Sequence, residues 1–154
     1  HLPFEDRSFD VVVACHVLEH IPRSGRDAFL DSLMIKAKKA VILINPFQSK
    51  ESNRQLEFIN KEWKTRWAQE HLDCEMPRTE DVLDYAERRG LSCKMTPNGN
   101  TATTFALIWL DLVMKRKETR DKWYRVNRFV NTQMMHMMDS DQFPTAYLTV
   151  LERK

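Results

Sequence analysis

Apolar runs and polar breaks alternate along the chain in two different periods. Residues 9–17 are apolar without alternation, and Val11, Val12 and Val13 are β-branched, which predicts a strand buried on both faces. Residues 40–44, AVILI, predict a second buried strand ended by Asn45-Pro46-Phe47. Between them Phe29, Leu30, Leu33, Met34 and Ala37 share one helical face. Ser24 with Asp27 reads as a variant capping box, and Lys36, Lys38 and Lys39 crowd the far end of this helix, where the macrodipole favours cations. Strand, helix and strand at this spacing predict a βαβ unit with parallel strands and a right-handed crossover.

Further on, Leu56, Ile59, Trp63 and Trp67 lie three and four apart and predict one amphipathic helix. Thr79, Glu80 and Asp81 open another, closed by Arg88-Arg89-Gly90. Residues 91–95 read as a short strand before a turn at residues 97–100. Residues 101–117 and 118–138 predict two helices, the second with Trp123, Val126, Phe129, Val130, Met134 and Met137 as apolar positions. After a loop at 139–144, residues 145–151 predict a final strand. The order argues an α/β fold.

Composition narrows the function classes. With 24 basic and 22 acidic residues interspersed, the net charge of +2 gives no reason to expect nucleic-acid binding. The 3 cysteines form no CxxC pair, so neither a zinc knuckle nor a disulfide framework is expected, and a reducing, cytoplasmic setting is. The greasiest run, residues 105–114, contains Asp111 and is too short to span a bilayer. The chain begins at His1 and runs straight into a core strand, which reads as the later part of a longer domain.

The chemistry concentrates where the first strand ends. LPFEDRSFDVVVACHVLEHIP delivers His16, Glu19 and His20 to a strand end, the place where open α/β sheets hold ligands. His20 is the candidate general base, because imidazole titrates near neutrality. His16, Glu19 and His20 have metal-capable spacing, but three residues in one loop are a weak signal and no metal is expected. Glu70-His71 forms a second polar pair that could reach over the strand ends, and Trp67 could stack on an acceptor.

This stretch resembles the fourth-strand region of class I S-adenosylmethionine-dependent methyltransferases of the type 11 kind, with its Leu-Pro-Phe turn, Ser-Phe-Asp lead-in, Val-rich strand and Leu-Glu-His ending. AVILINPF is similar to the fifth strand, residues 80–95 to the next helix and sixth strand, and YLTVLERK to the seventh. The resemblance implies the last four strands of a Rossmann-like sheet with the closing strand antiparallel. It implies one domain part over residues 1–154, with a helical cap at 98–143. It implies S-adenosylmethionine lying against Ala14, Cys15 and His16, and Glu19, Trp67, Glu70 and His71 are then the candidates for the acceptor side. The implied activity is methyl transfer to a small molecule or saccharide at oxygen, and a homodimer is compatible with it. The glycine-rich cofactor loop of that family is not among these residues: Gly25, Gly90 and Gly99 form no GxGxG. The competing expectation is therefore an inactive methyltransferase-like scaffold.

Overall fold

The structure, a computed structural model, describes residues 2–114, 117–134 and 144–153. Its centre is a four-stranded sheet in the order β1-β2-β4-β3, with β1 Phe9–Cys15, β2 Ala37–Pro46, β3 Leu91–Asn98 and β4 Ala146–Arg153. β1 and β2 are parallel, joined through α1 (Arg26–Lys36), as the βαβ reading expects. β4 inserts between β2 and β3 and runs antiparallel to both. The register of β1 slips between Phe9 and Val11, which pair with Ala37 and Ala40, so β2 carries a bulge there.

One face of the sheet is the main core. Val41 and Leu43 of β2 and Leu151 of β4 are fully buried under Leu30, Leu33 and Met34 of α1 and Val82, Tyr85 and Ala86 of α4 (Thr79–Arg88). Burying each large aliphatic side chain stabilises the fold by about 1.5–3 kcal/mol. The two covering helices are also tied to each other. Tyr85 Oη donates to Asp31 at 2.9 Å, and Arg89 grips both oxygens of Asp31 at 2.8 and 2.6 Å. That grip, more than the Tyr85 hydrogen bond, holds the Asp31 carboxyl below its ordinary range. Gly90 follows α4 with φ of +63°; there is room for a side chain, so the backbone conformation is what calls for glycine.

The opposite face differs from expectation. Val11 and Val13 are 42% and 59% exposed, so β1 is not buried on both faces. The reason is topological: among the described strands β1 lies at an edge, and α1 and α4 both cover the same side of the sheet. Other boundaries also move. The first helix stops at Lys36, and Lys38 and Lys39 enter β2 instead of closing the helix. Ser24 sits in a short 3-10 turn and makes no cap; Gly25 is the N-cap residue. Lys36 is buried, with its ammonium 2.7 Å from Asp6.

The tryptophan-bearing helix is two helices, α2 (Lys50–Trp63) and α3 (Arg66–Asp73). Lys64 breaks them with φ of +49°, a left-handed cap that the three-and-four spacing of apolar residues does not reveal. α2 starts with a reciprocal Ser49–Ser52 capping box. β3 continues through Pro97 to Asn98, so the expected turn shrinks to Gly99 before α5 (Thr101–Val113). Asn100 caps α5 by accepting from the amides of Ala102 and Thr103. α6 (Lys117–Phe129) passes into a π-turn at Val130–Met134. Trp123 is buried as expected, whereas Val126 and Phe129 are 52% and 58% exposed. Met135, His136, Met137 and Met138 and the 139–143 loop lie outside the described residues. A second apolar cluster joins Leu56, Ile59, Ala68 and Met76, with Phe105, Ile108 and Leu112 of α5 packed on it. No helix among the described residues is long and apolar enough to cross a membrane.

Candidate active site

The parallel strands β1 and β2 end on the same side, and two residues there turn a strand end into a site. His16 leaves β1 with φ of +53°, its amide donating to the Ile44 carbonyl at 2.8 Å. This left-handed step swings the imidazole back over the following 3-10 turn, Leu18–His20. His16 Nδ1 then lies 3.0 Å from Glu19 Oε1. Glu19 is 0% exposed, and Asn45, at the end of β2, donates from Nδ2 to its other oxygen. Burial pushes the Glu19 carboxyl up, but hydrogen bonds from His16, its own backbone amide and Asn45 outweigh it and hold it below its ordinary value. The same carboxylate raises the His16 imidazole against the opposing effect of burial.

α3 brings the second half. His71 Nε2 stands 3.3 Å from His20 Nε2, with ring centroids 4.7 Å apart. Glu70 Oε2 lies 3.6 Å from His20 Nδ1, while Arg66 holds the other Glu70 oxygen at 2.7 Å. Trp67 meets His71 edge to face at 5.7 Å. Burial first, and the neighbouring His20 second, lower the His71 pKa.

Arg26 fixes the two halves together. This buried side chain, at the start of α1, donates from Nε to Ile21 O at 3.0 Å and from Nη2 to Cys74 O at 2.9 Å and to Glu75 O. It therefore ties the loop after His20 to the residues just beyond α3. Cys74 Sγ adds a contact to His20 O at 3.4 Å.

A cavity of about 660 Å³ opens beside these strand ends. His16, Trp67 and His71 line its mouth, and Leu56, Ile59, Phe105 and Ile108 form much of its wall. Asp111 also lines it, with a buried Oδ1 that has no partner among the described residues.

The structure thus brings together the residues singled out from the sequence, at different depths. His16, Trp67 and His71 face the cavity, Glu19 lies beneath them, and His20 and Glu70 stand behind His71. Ala14 is buried and Cys15 exposed at the end of β1. Asn45, Arg26 and Asp111 were not singled out. A polar residue at the carboxyl end of a parallel strand is a readable signal for Asn45. Nothing in the local pattern distinguishes Arg26 from a solvated helix residue.

Residues 1–39 match a family model described as a methyltransferase domain. No curated protein matches the sequence. The chain is similar to the solved structure of magnesium protoporphyrin IX methyltransferase from Synechocystis PCC 6803 with bound SAH, at 14% identity over 94% of this chain and 45% of that one, with a TM-score of 0.49. It is also similar to the YcgJ protein from Bacillus subtilis, at 11% identity over 100% of this chain and 68% of that one, with a TM-score of 0.49. A third similar structure is the plantazolicin methyltransferase BamL with a desmethyl analogue and SAH, at 12% identity over 94% and 53%, with a TM-score of 0.45. The chain spans about half the length of the first of these structures.

Proposed function

We propose that the protein is an S-adenosylmethionine-dependent methyltransferase acting in the cytoplasm on a small-molecule acceptor, at oxygen. The match of residues 1–39 to a methyltransferase domain supports the reaction class. The observation that carries the rest is the cavity of about 660 Å³, which meets the carboxyl ends of β1 and β2 at His16. A space of that size suits a small molecule or one to two sugar rings. Trp67 would stack on a saccharide, and the aliphatic wall favours an acceptor with a substantial apolar body.

The residues present fit one flank of the cofactor. Cys15 is exposed and His16 turns outward where β1 stops, so the side chains of residues 15 and 16 are open to a ligand beside the buried Ala14. When bound, S-adenosylmethionine supplies an electrophilic methyl group. The chain's own contribution is first positional: the strand ends with α5 and α6 would hold the acceptor oxygen in line, and most of the acceleration comes from that alignment. His71 faces the acceptor and His20 stands behind it, so His20 would receive the acceptor's proton through His71. Glu19 acts through His16, whose ring it orients.

Photo-crosslinking of radiolabelled S-adenosylmethionine to the full-length protein tests the placement. The label is expected on the tryptic peptide of residues 8–23, which carries Ala14, Cys15 and His16. Label confined to peptides from α5 or α6 would contradict it.

A further inference from the structure

We propose that Glu19, His20 and His71 form a binding site for a divalent transition-metal ion of the zinc class. One donor atom from each lies within 4.8 Å of the others. The two imidazoles are the more telling pair. Their Nε2 atoms are 3.3 Å apart. Zinc–imidazole bonds of about 2.0–2.1 Å in a tetrahedron set two nitrogens about 3.3–3.4 Å apart. The imidazoles thus already stand at the edge length of a tetrahedral site, with a carboxylate oxygen of Glu19 within 4.8 Å of both.

The surroundings suit ligands more than a chance cluster. Glu70 Oε2 sits 3.6 Å from His20 Nδ1, on the side away from His71. A carboxylate there favours a proton on Nδ1 and leaves the Nε2 lone pair for a metal, the usual outer partner of a ligating histidine. Glu19 is held by His16 through one oxygen and Asn45 through the other, which fixes its orientation while each oxygen keeps a lone pair. Arg26 locks the loop carrying His20 to the end of α3, so ligands from distant parts of the chain are fixed before any ion arrives.

The donor set decides the ion. Two imidazoles and a carboxylate suit zinc and its neighbours, whereas magnesium and calcium ask for oxygen ligands. Three protein ligands leave a fourth position for water or an acceptor atom, and one of the ligands, His71, also lines the cavity. The site itself stands without the methyltransferase reading; its role rests on that reading. An acceptor hydroxyl at the fourth position would be acidified by the ion and release its proton to solvent water, the imidazoles then serving as ligands in place of the proton relay.

The test is titration of the metal-stripped, full-length protein with Co²⁺. One ion per chain is expected, with visible ligand-field bands of four-coordinate intensity that equimolar Zn²⁺ abolishes. His71→Gln and His20→Gln, which keep bulk and polarity, should each remove those bands, and Glu70→Gln should weaken binding by about 10-fold. Cys74→Ser should leave the spectrum unchanged. Failure to bind Co²⁺, bands that survive both histidine variants, or a thiolate charge-transfer band lost in Cys74→Ser would each overturn the proposal. Calorimetry with S-adenosylhomocysteine on the same samples separates the two readings: cofactor binding without metal binding removes the ion and leaves the methyltransferase.

Discussion

Arg26→Met is the perturbation that asks most of this structure. The guanidinium is 5% exposed and serves three backbone carbonyls, those of Ile21, Cys74 and Glu75. Hydrogen bonds from a charged donor contribute about 1.5–3 kcal/mol each, which gives a gross loss of about 4.5–9 kcal/mol. Relief of the buried charge offsets part of it, because burial already pushes the Arg26 pKa down and no carboxylate among the described residues forms an ion pair with it. Methionine fills most of the same volume, so no large cavity term is added. The net expectation is a destabilisation of about 3 kcal/mol. With a urea m-value of about 2 kcal/mol per M, the unfolding midpoint should fall by about 1.5 M. Arg26→Lys should recover at most one of the three bonds, since an ammonium lacks the planar fork. The check is equilibrium urea unfolding followed by circular dichroism. A loss below about 1 kcal/mol for Arg26→Met would mean that water serves those carbonyls as well, and the tie between the His20 loop and α3 would lose its basis.

Two further outcomes follow from elements around the site. Asn100→Ala removes the acceptor for the Ala102 and Thr103 amides, so thermal unfolding should show a loss of about 1 kcal/mol, or about 2–4 °C. The Asp31 carboxyl has a folded-state pKa below its unfolded value, so its contribution is present above the unfolded value and fades as pH falls through the folded one. Asp31→Asn should therefore flatten the acid limb of the stability–pH profile and leave its slope near neutrality unchanged, as read by urea midpoints across the acid range.

Much of the fold could be read because its signals are local. The β-branched run of β1, the Val-Ile-Leu run of β2 and the Gly90 stop after α4 each announce an element within a few residues. The misreadings share a cause in longer-range effects. Exposure of Val13 depends on which face α1 and α4 choose, and nothing in residues 9–17 records that choice. Lys38 and Lys39 look like a helix end, yet β1 recruits them into a strand through the Phe9–Ala37 pairing. The split at Lys64 preserves the apolar spacing across two helices, so periodicity reads straight through it. In the site, His16, Glu19 and His20 were legible because one strand end carries them together. Their partners were harder: Asn45 is 26 residues from Glu19, and His71 is 51 from His20. Only the parallel pairing of β1 with β2, and the Arg26 tie to the end of α3, bring those partners in.

The central claim is that the strand ends at residues 14–16 hold S-adenosylmethionine for transfer of its methyl group. Calorimetric titration of S-adenosylhomocysteine into the full-length protein tests it most directly. The account predicts binding at one site per chain, weakened by at least 10-fold in Cys15→Trp, whose indole would fill the exposed strand end. No heat of binding, or an affinity untouched by that substitution, would contradict it.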